Sequence, residues 1–383
     1  MNNKKYDLIV YGASGFTGQL ICEYLSNHKD IANLNWAIAG RNTSKLESIS
    51  MQFSTENKKI DVLHADSFDK PSLDNITSQS KLIITTVGPY AIYGEQLVAS
   101  CIDNQTYYLD LTGEPHFVHK IKEKYAQKAY DNNVAIIHSC GFESIPPDIG
   151  VYSAINQLNE PNADVSYFFE SNGDISGGTW ASFINSLSSP IPIISKGNKK
   201  RSKSKNKKNK KKIFFHKEFK RWALFFPVID KYIVQKTAKS FDQYGDDFSF
   251  SEYMLFKSWK KLAFIIVGIF IVSIISKVKF IKKWLLSLRP SGSGPSKDKR
   301  DSNWFIAKVI AKGQNASVMT TIKGGDPGYG DTSKFISEMA LCILTQGDQL
   351  LKNKGVLTPV ECTGGLLLDR LRNAGISIDT KRL

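Results

Sequence analysis

An apolar run ending at Tyr11 gives way to Gly12-Ala13-Ser14-Gly15-Phe16-Thr17-Gly18, and a segment of helical period follows at once. No other stretch restricts the fold so tightly, because G-x-x-G-x-x-G between a strand and a helix marks a dinucleotide-binding turn. Each glycine has a physical task. Gly12 permits the tight turn, Gly15 lets backbone amides approach a pyrophosphate, and Gly18 lets the helix pack closely on the strand. The helix N-terminus favours an anion, with the backbone at Phe16 and the hydroxyls of Ser14 and Thr17 as further donors. A glycine-rich turn with a purely structural role is the competing reading.

Short apolar runs alternate with longer segments of helical period over residues 1–150, which predicts βαβ units and a Rossmann-type parallel sheet. Strands are expected at 7–11, 36–39, 61–64, 82–87, 107–111 and 134–139. Between the first two, Leu20, Ile21, Tyr24 and Leu25 recur at the spacing of a crossover helix. The second strand ends Ala39-Gly40-Arg41, where an NAD site places Asp or Glu against the adenosine ribose. A guanidinium there pairs with a 2′-phosphate instead, so the expected cofactor is NADP(H), with Asn42, Ser44 and Lys45 assisting. The bland alternative is an arginine solvated beside a turn. Asp66 and Ser67, after the third strand, are expected at the adenine, and Val87, Gly88 and Pro89, after the fourth, near the nicotinamide half.

Charge argues against one further class of function. The formal net charge is +15, yet residues 196–212 hold ten Lys, one Arg and no acid, and removing those eleven charges leaves +4. The basicity therefore belongs to an insert, read as a solvated, disordered loop. Nucleic acid is disfavoured as a partner because no aromatic residue is interleaved in the run. Five widely spaced cysteines without a C-x-x-C pair suit reduced thiols, and the early start of the first strand leaves no room for a signal peptide. Both observations point to the cytoplasm.

Residues 151–383 are expected to form a second, α+β domain, with strands near 165–170, 304–311 and 316–323, a Gly-Gly-Thr turn at 177–179, and a helix at 332–344. Two segments interrupt it: the Lys-rich insert at 196–212 and a hydrophobic stretch at 255–288 centred on LAFIIVGIFIVSIIS, residues 262–276. That apolar run falls short of the roughly 20 residues a spanning helix needs. With lysines on both flanks and Trp and Phe nearby, interfacial contact with a membrane is preferred over burial as a core helix. The expected architecture is thus a Rossmann-type parallel sheet followed by an α+β domain that carries a hydrophobic, membrane-associating insertion.

A nicotinamide cofactor supplies the hydride, so the protein has to orient a substrate and donate at most one proton. Tyr90, Tyr93, His138, Cys140 and Glu143 all fall at or just beyond the carboxyl ends of expected strands, and Tyr90, Tyr93 and Glu143 are the catalytic candidates retained. Each also has a structural reading, as packing aromatic, buried strand end or loop cap. No Tyr-x-x-x-Lys pair of the short-chain dehydrogenase type accompanies them.

GASGFTG at 12–18, AGR at 39–41, VGPYAIYGE at 87–95, YYLDLTGEP at 107–115 and CGFESIPPDIG at 140–150 occur in that order. Together they resemble the saccharopine dehydrogenase-like oxidoreductases, a group that includes trans-acting enoyl reductases of lipid synthesis. The resemblance weakens over 289–344, where RPSGSGPSKDKR and GGDPGYGDT are similar to later family motifs, and Glu143 stands where the family pattern GFDSIP has Asp. It implies an NADP(H)-dependent reductase of a lipid-like small molecule, associated with a membrane or lipid-droplet surface, with a homo-oligomer left open. It does not imply turnover of saccharopine, whose three carboxylates would need positioned basic residues that cannot be located. A non-catalytic, NADP(H)-sensing scaffold for a membrane or protein partner is the second hypothesis.

Overall fold

The computed structural model describes residues 4–55, 58–173, 180, 184, 211–226, 229–288 and 294–383. Six parallel strands fall within a few residues of their expected places: β1 (Tyr6–Tyr11), β2 (Trp36–Gly40), β3 (Asp61–His64), β4 (Ser80–Thr85), β5 (Tyr107–Asp110) and β6 (Ala135–Ile137). Alternate residues of β1 face opposite layers, as the two-residue period of a strand requires. Leu8 and Val10 pack with Ile21 and Leu25 of α1 (Phe16–Ser26) and Leu46 of α2 (Thr43–Phe53). Ile9 and Tyr11 pack with Leu73 of α3 (Lys70–Ser78), Leu97 of α4 (Tyr90–Asp103) and Phe117 of α5 (Pro115–Asp131). Covered on both sides, the central strands read as continuous apolar runs.

A seventh strand, β13 (Gly355–Leu357), pairs in parallel with β6, giving the order β13-β6-β5-β4-β1-β2-β3. The helix Gly330–Thr345, expected to complete the second domain, also lies on this sheet. Its buried Glu338 accepts from Tyr24 of α1 at 2.5 Å and from Arg370 at 2.8 Å. The two sheets are distinct in space, but residue 150 does not divide them in sequence, since the chain returns to the first sheet near its C-terminus.

The second sheet has the order β14-β12-β11-β7-β10-β9-β8. Its strands are β7 (Asp164–Ser171), β8 (Ile213–His216), β9 (Arg221–Phe225), β10 (Ser249–Phe256), β11 (Phe305–Lys312), β12 (Ser317–Gly324) and β14 (Ser377–Arg382). Among the described residues only β7 and β10 pair in parallel there. α6 (Ile145–Leu158) leaves the first sheet and packs across β11 and β12, joining the two cores.

The hydrophobic stretch forms two consecutive helices, Trp259–Ile275 and Lys279–Ser287, which bury only Leu262 and Leu285. Phe264 is 80% exposed, Phe270 65% and Phe280 81%, so the segment is not a core helix. Among the described residues no helix is long and apolar enough to cross a membrane. The first, with 17 residues, extends about 25 Å, less than a ~30 Å hydrocarbon core. The turn expected at 177–179 and residues 196–210 of the Lys-rich insert lie outside the described residues.

Candidate active site

The loop between β1 and α1 owes its shape to two of its glycines. Gly12 adopts φ +91°, its N–H donates to the Ala39 carbonyl at 2.9 Å, and a Cβ there would lie 2.6 Å from Thr86 Oγ1. A Cβ on Gly18 would lie 2.3 Å from the Gly12 carbonyl oxygen, so α1 can approach the turn only with glycine there. At Gly15, the N-cap of α1, a Cβ would meet nothing of the protein closer than the Gly12 carbonyl at 3.2 Å. As the N-cap, Gly15 stands beside the first helical turn, whose N–H groups have no partner within the helix, and such a turn fits a pyrophosphate. Ser14, Phe16 and Thr17 are half-buried around it.

Along the strand ends the expected residues divide into open and committed groups. Arg41 is exposed immediately beyond β2 and pairs with no carboxylate among the described residues, while Ser14 Oγ sits 3.9 Å from where a Cβ on Gly40 would be. Asn42 is not free to assist, since its Oδ1 accepts from the Lys45 N–H at 2.9 Å and caps α2. Asp66 accepts from the Phe68 N–H at 2.9 Å, and the buried Ser67 hydroxyl is bonded to Tyr11 at 2.8 Å; what Ser67 has left for an adenine is its backbone. Val87 lies against Gly12, Gly88 is exposed, and a cis peptide joins it to Pro89, the N-cap of α4.

Tyr90 is placed differently from expectation. Its hydroxyl is buried, donates to the Thr85 carbonyl and accepts from the Leu111 N–H, each at 3.2 Å, and burial pushes the phenol well above its ordinary range. Such a group braces the ends of β4 and β5, and its proton is engaged by the Thr85 carbonyl. His138 is equally enclosed, with Nδ1 2.7 Å from Asp110 and its ring edge-on to Phe117, and burial raises the Cys140 thiol far above its usual value. Tyr93 is half-buried at the rim, edge-on to the exposed Phe68. Glu143, also half-buried, places its carboxylate 2.7 Å from where a Cβ on Gly113 would be, and interacts electrostatically with both Tyr90 and Asp230.

Several site groups were not foreseen. Glu114 accepts from the Tyr90 and Ala91 N–H groups, each at 3.0 Å, and so caps α4 from a different loop. Asp230, on helix Ile229–Ala238, and Glu252, on β10, are both almost fully buried; burial first, then the Glu252 charge, pushes the Asp230 carboxyl well up. A signal for Asp230 existed, because Ile233, Val234 and Thr237 follow at three, four and seven residues, which puts an acid on an apolar helix face.

Residues 8–137 match the family model described as the saccharopine dehydrogenase NADP binding domain. A saccharopine dehydrogenase-like oxidoreductase of Rattus norvegicus is 29% identical over 97% of this chain and 96% of its own. A Mycobacterium tuberculosis protein named as a trans-acting enoyl reductase is 29% identical over 99% of this chain and 98% of its own. A lipid droplet localized protein of Caenorhabditis elegans is 29% identical over 97% of each chain. Among solved structures, apo saccharopine dehydrogenase (L-Glu forming) from Saccharomyces cerevisiae superimposes with a TM-score of 0.61 at 13% identity, covering 99% of this chain and 100% of the other, a likeness of fold.

Proposed function

We propose that this chain, which binds NADP(H) and is similar to the saccharopine dehydrogenase-like oxidoreductases over nearly its whole length, is a member of that group and reduces an enoyl or carbonyl group of a lipid-related substrate at a membrane or lipid-droplet surface. The observation that carries this reading is the exposed apolar pair of helices Trp259–Ile275 and Lys279–Ser287, bordered by exposed Lys257, Lys260, Lys261, Lys277, Lys279 and Lys283. Apolar side chains at this density in water mark a docking surface, and flanking lysines suit anionic headgroups. The names of the Caenorhabditis elegans and Mycobacterium tuberculosis relatives support the same reading.

In this proposal residues 4–143, the helix Gly330–Thr345 and β13 form the nucleotide-binding unit, and the second sheet with the helical pair forms the substrate side. NADPH, when bound, supplies a hydride. Arg41 and Ser14 hold the 2′-phosphate end, the first turn of α1 holds the pyrophosphate, Asp66 and the backbone of Ser67 flank the adenine, and Val87 to Pro89 wall the nicotinamide half. Glu143 holds the transferable proton, since it is the half-buried candidate acid whose charge reaches Asp230 on the helix packed against β10, and Tyr93 lines the mouth. Saccharopine is not the substrate in this scheme.

NADPH consumption by the purified full chain, monitored at its absorbance maximum with fractionated lipid extracts, tests the proposal. Oxidation that depends on a lipid fraction supports it, and its absence with every fraction would leave the second reading, a cofactor-sensing scaffold. The commitment of the Tyr90 hydroxyl to backbone groups is the observation that favours that alternative.

A further inference from the structure

Phe16 opens α1, next to the space that Gly15 leaves for a pyrophosphate, and three groups from the far half of the chain converge on its ring. Tyr329 meets it edge-on with centroids 4.8 Å apart. Gly294 lies so close that a Cβ there would come within 2.3 Å of the ring. The Arg300 guanidinium sits over the ring face, 5.3 Å from its centroid.

Arg300 is held in that position by its neighbours. Its Nη1 donates to the Pro295 carbonyl at 2.9 Å, and the side chain is half-buried. No carboxylate among the described residues pairs with it, although acids stand two residues before and one after it at Asp298 and Asp301. A guanidinium that is pinned, partly desolvated and without a counter-ion beside the positive end of a helix lies in an unfavourable field. An anion at the N-terminus of α1 would relieve both positive charges at once, and the rigid donor fork of arginine suits a diphosphate better than any other side chain.

We infer that Arg300 is a pyrophosphate-binding residue of the NADP(H) site, contributed from outside the nucleotide-binding sheet, with Phe16 as the platform that positions it. The sequence gives a partial reason why the segment takes this form. Gly294 is needed for close approach to Phe16, and Pro295 supplies the carbonyl that fixes the guanidinium. The site is therefore built from two distant parts of the chain, and the glycine loop supplies only one wall of it.

This inference rests on the NADP(H) assignment, and the test separates the two. Dissociation constants for NADPH and NADH are measured by fluorescence titration of the full chain, with 2′-AMP as a competitor that carries the 2′-phosphate but no diphosphate. Arg300→Gln is expected to weaken NADPH and NADH alike, each by about tenfold or more, and to leave 2′-AMP unchanged. Arg41→Ala is expected to weaken NADPH and 2′-AMP far more than NADH. Arg300→Lys, which keeps the charge and loses the fork, should fall between wild type and Arg300→Gln, and it serves as the reporter if the glutamine variant is unstable. Wild-type affinity for both cofactors in these Arg300 variants, or a loss confined to NADPH, would overturn the role of Arg300 while leaving the cofactor assignment intact. A wild-type chain that fails to bind NADPH would overturn the assignment itself.

Discussion

The Tyr90 hydroxyl and the Glu143 carboxylate lie near one another, yet their surroundings give them opposite properties. Tyr90 links the Thr85 carbonyl to the Leu111 N–H in a buried position, so Tyr90→Phe leaves a backbone donor unpaired. The expected loss is about 1–3 kcal/mol of stability with turnover nearly unchanged. Glu143→Gln keeps the shape and removes the titratable proton, so turnover should fall by roughly 10²–10⁴ while NADPH affinity is kept. Thermal melts and NADPH oxidation on the two variants give the answer, and a collapse of turnover in Tyr90→Phe with stability intact would reverse the roles. Features set by near neighbours in sequence were legible: the turn at Gly12 and Gly18 and the position of Arg41 follow from one turn and one strand end. The surroundings of Asp230, Glu252, Glu114 and Arg300 were not, because each meets a group far away in the chain. The backbone partners of the Tyr90 hydroxyl were not legible either, because position at a strand end says nothing about which way a hydroxyl points.

At the scale of elements, α6 connects the two sheets through one buried acid. Asp148, in its first turn, accepts from Thr237 Oγ1 at 2.6 Å and from the Val360 N–H at 3.0 Å, tying α6 to helix Ile229–Ala238 and helix Pro359–Thr363. Burial outweighs these bonds and raises its carboxyl from 3.8 to about 7. The folded state then binds a proton that the unfolded chain releases between those values. The contribution of Asp148 to stability should be greatest below about pH 4, decline toward pH 7 and level off above it. The slope attributable to one such group is about 1.4 kcal/mol per pH unit. Asp148→Asn should flatten the curve of denaturation midpoint against pH over that window, and an unchanged slope would show that other groups carry it. Strands β1 to β6 of the first sheet were legible because they are short runs with apolar residues bounded by turn residues. β13 was not, since a three-residue strand carries no period and its partner β6 is remote in sequence. The helix Gly330–Thr345 was recognisable as a helix but not as part of the first sheet, because periodicity identifies an element and not what it packs against.

The molecule as a whole joins a sheet pair with a well-buried core to a helical pair that buries almost nothing. Trp259, Phe264, Val267, Phe270, Phe280 and Trp284 are each more than half exposed, so their apolar area is not used in folding. Transfer of a Phe side chain from water to an apolar phase yields about 1.5–3 kcal/mol, so three of them suffice to hold the chain at an interface when lysines add attraction to anionic lipid. Replacing Phe264, Phe270 and Phe280 together by Ser should therefore abolish co-sedimentation with phosphatidylserine-containing vesicles. Because exposed substitutions usually change stability by within about 0.5 kcal/mol, the melting temperature and NADPH affinity should stay close to wild type. Retained vesicle binding would remove the membrane surface from the proposed function. A large drop in melting temperature would instead mean that this face packs against protein in solution, as it would if a second copy of the chain covered it. Loss of vesicle binding with a folded, cofactor-competent chain is the combination that an interfacial anchor requires.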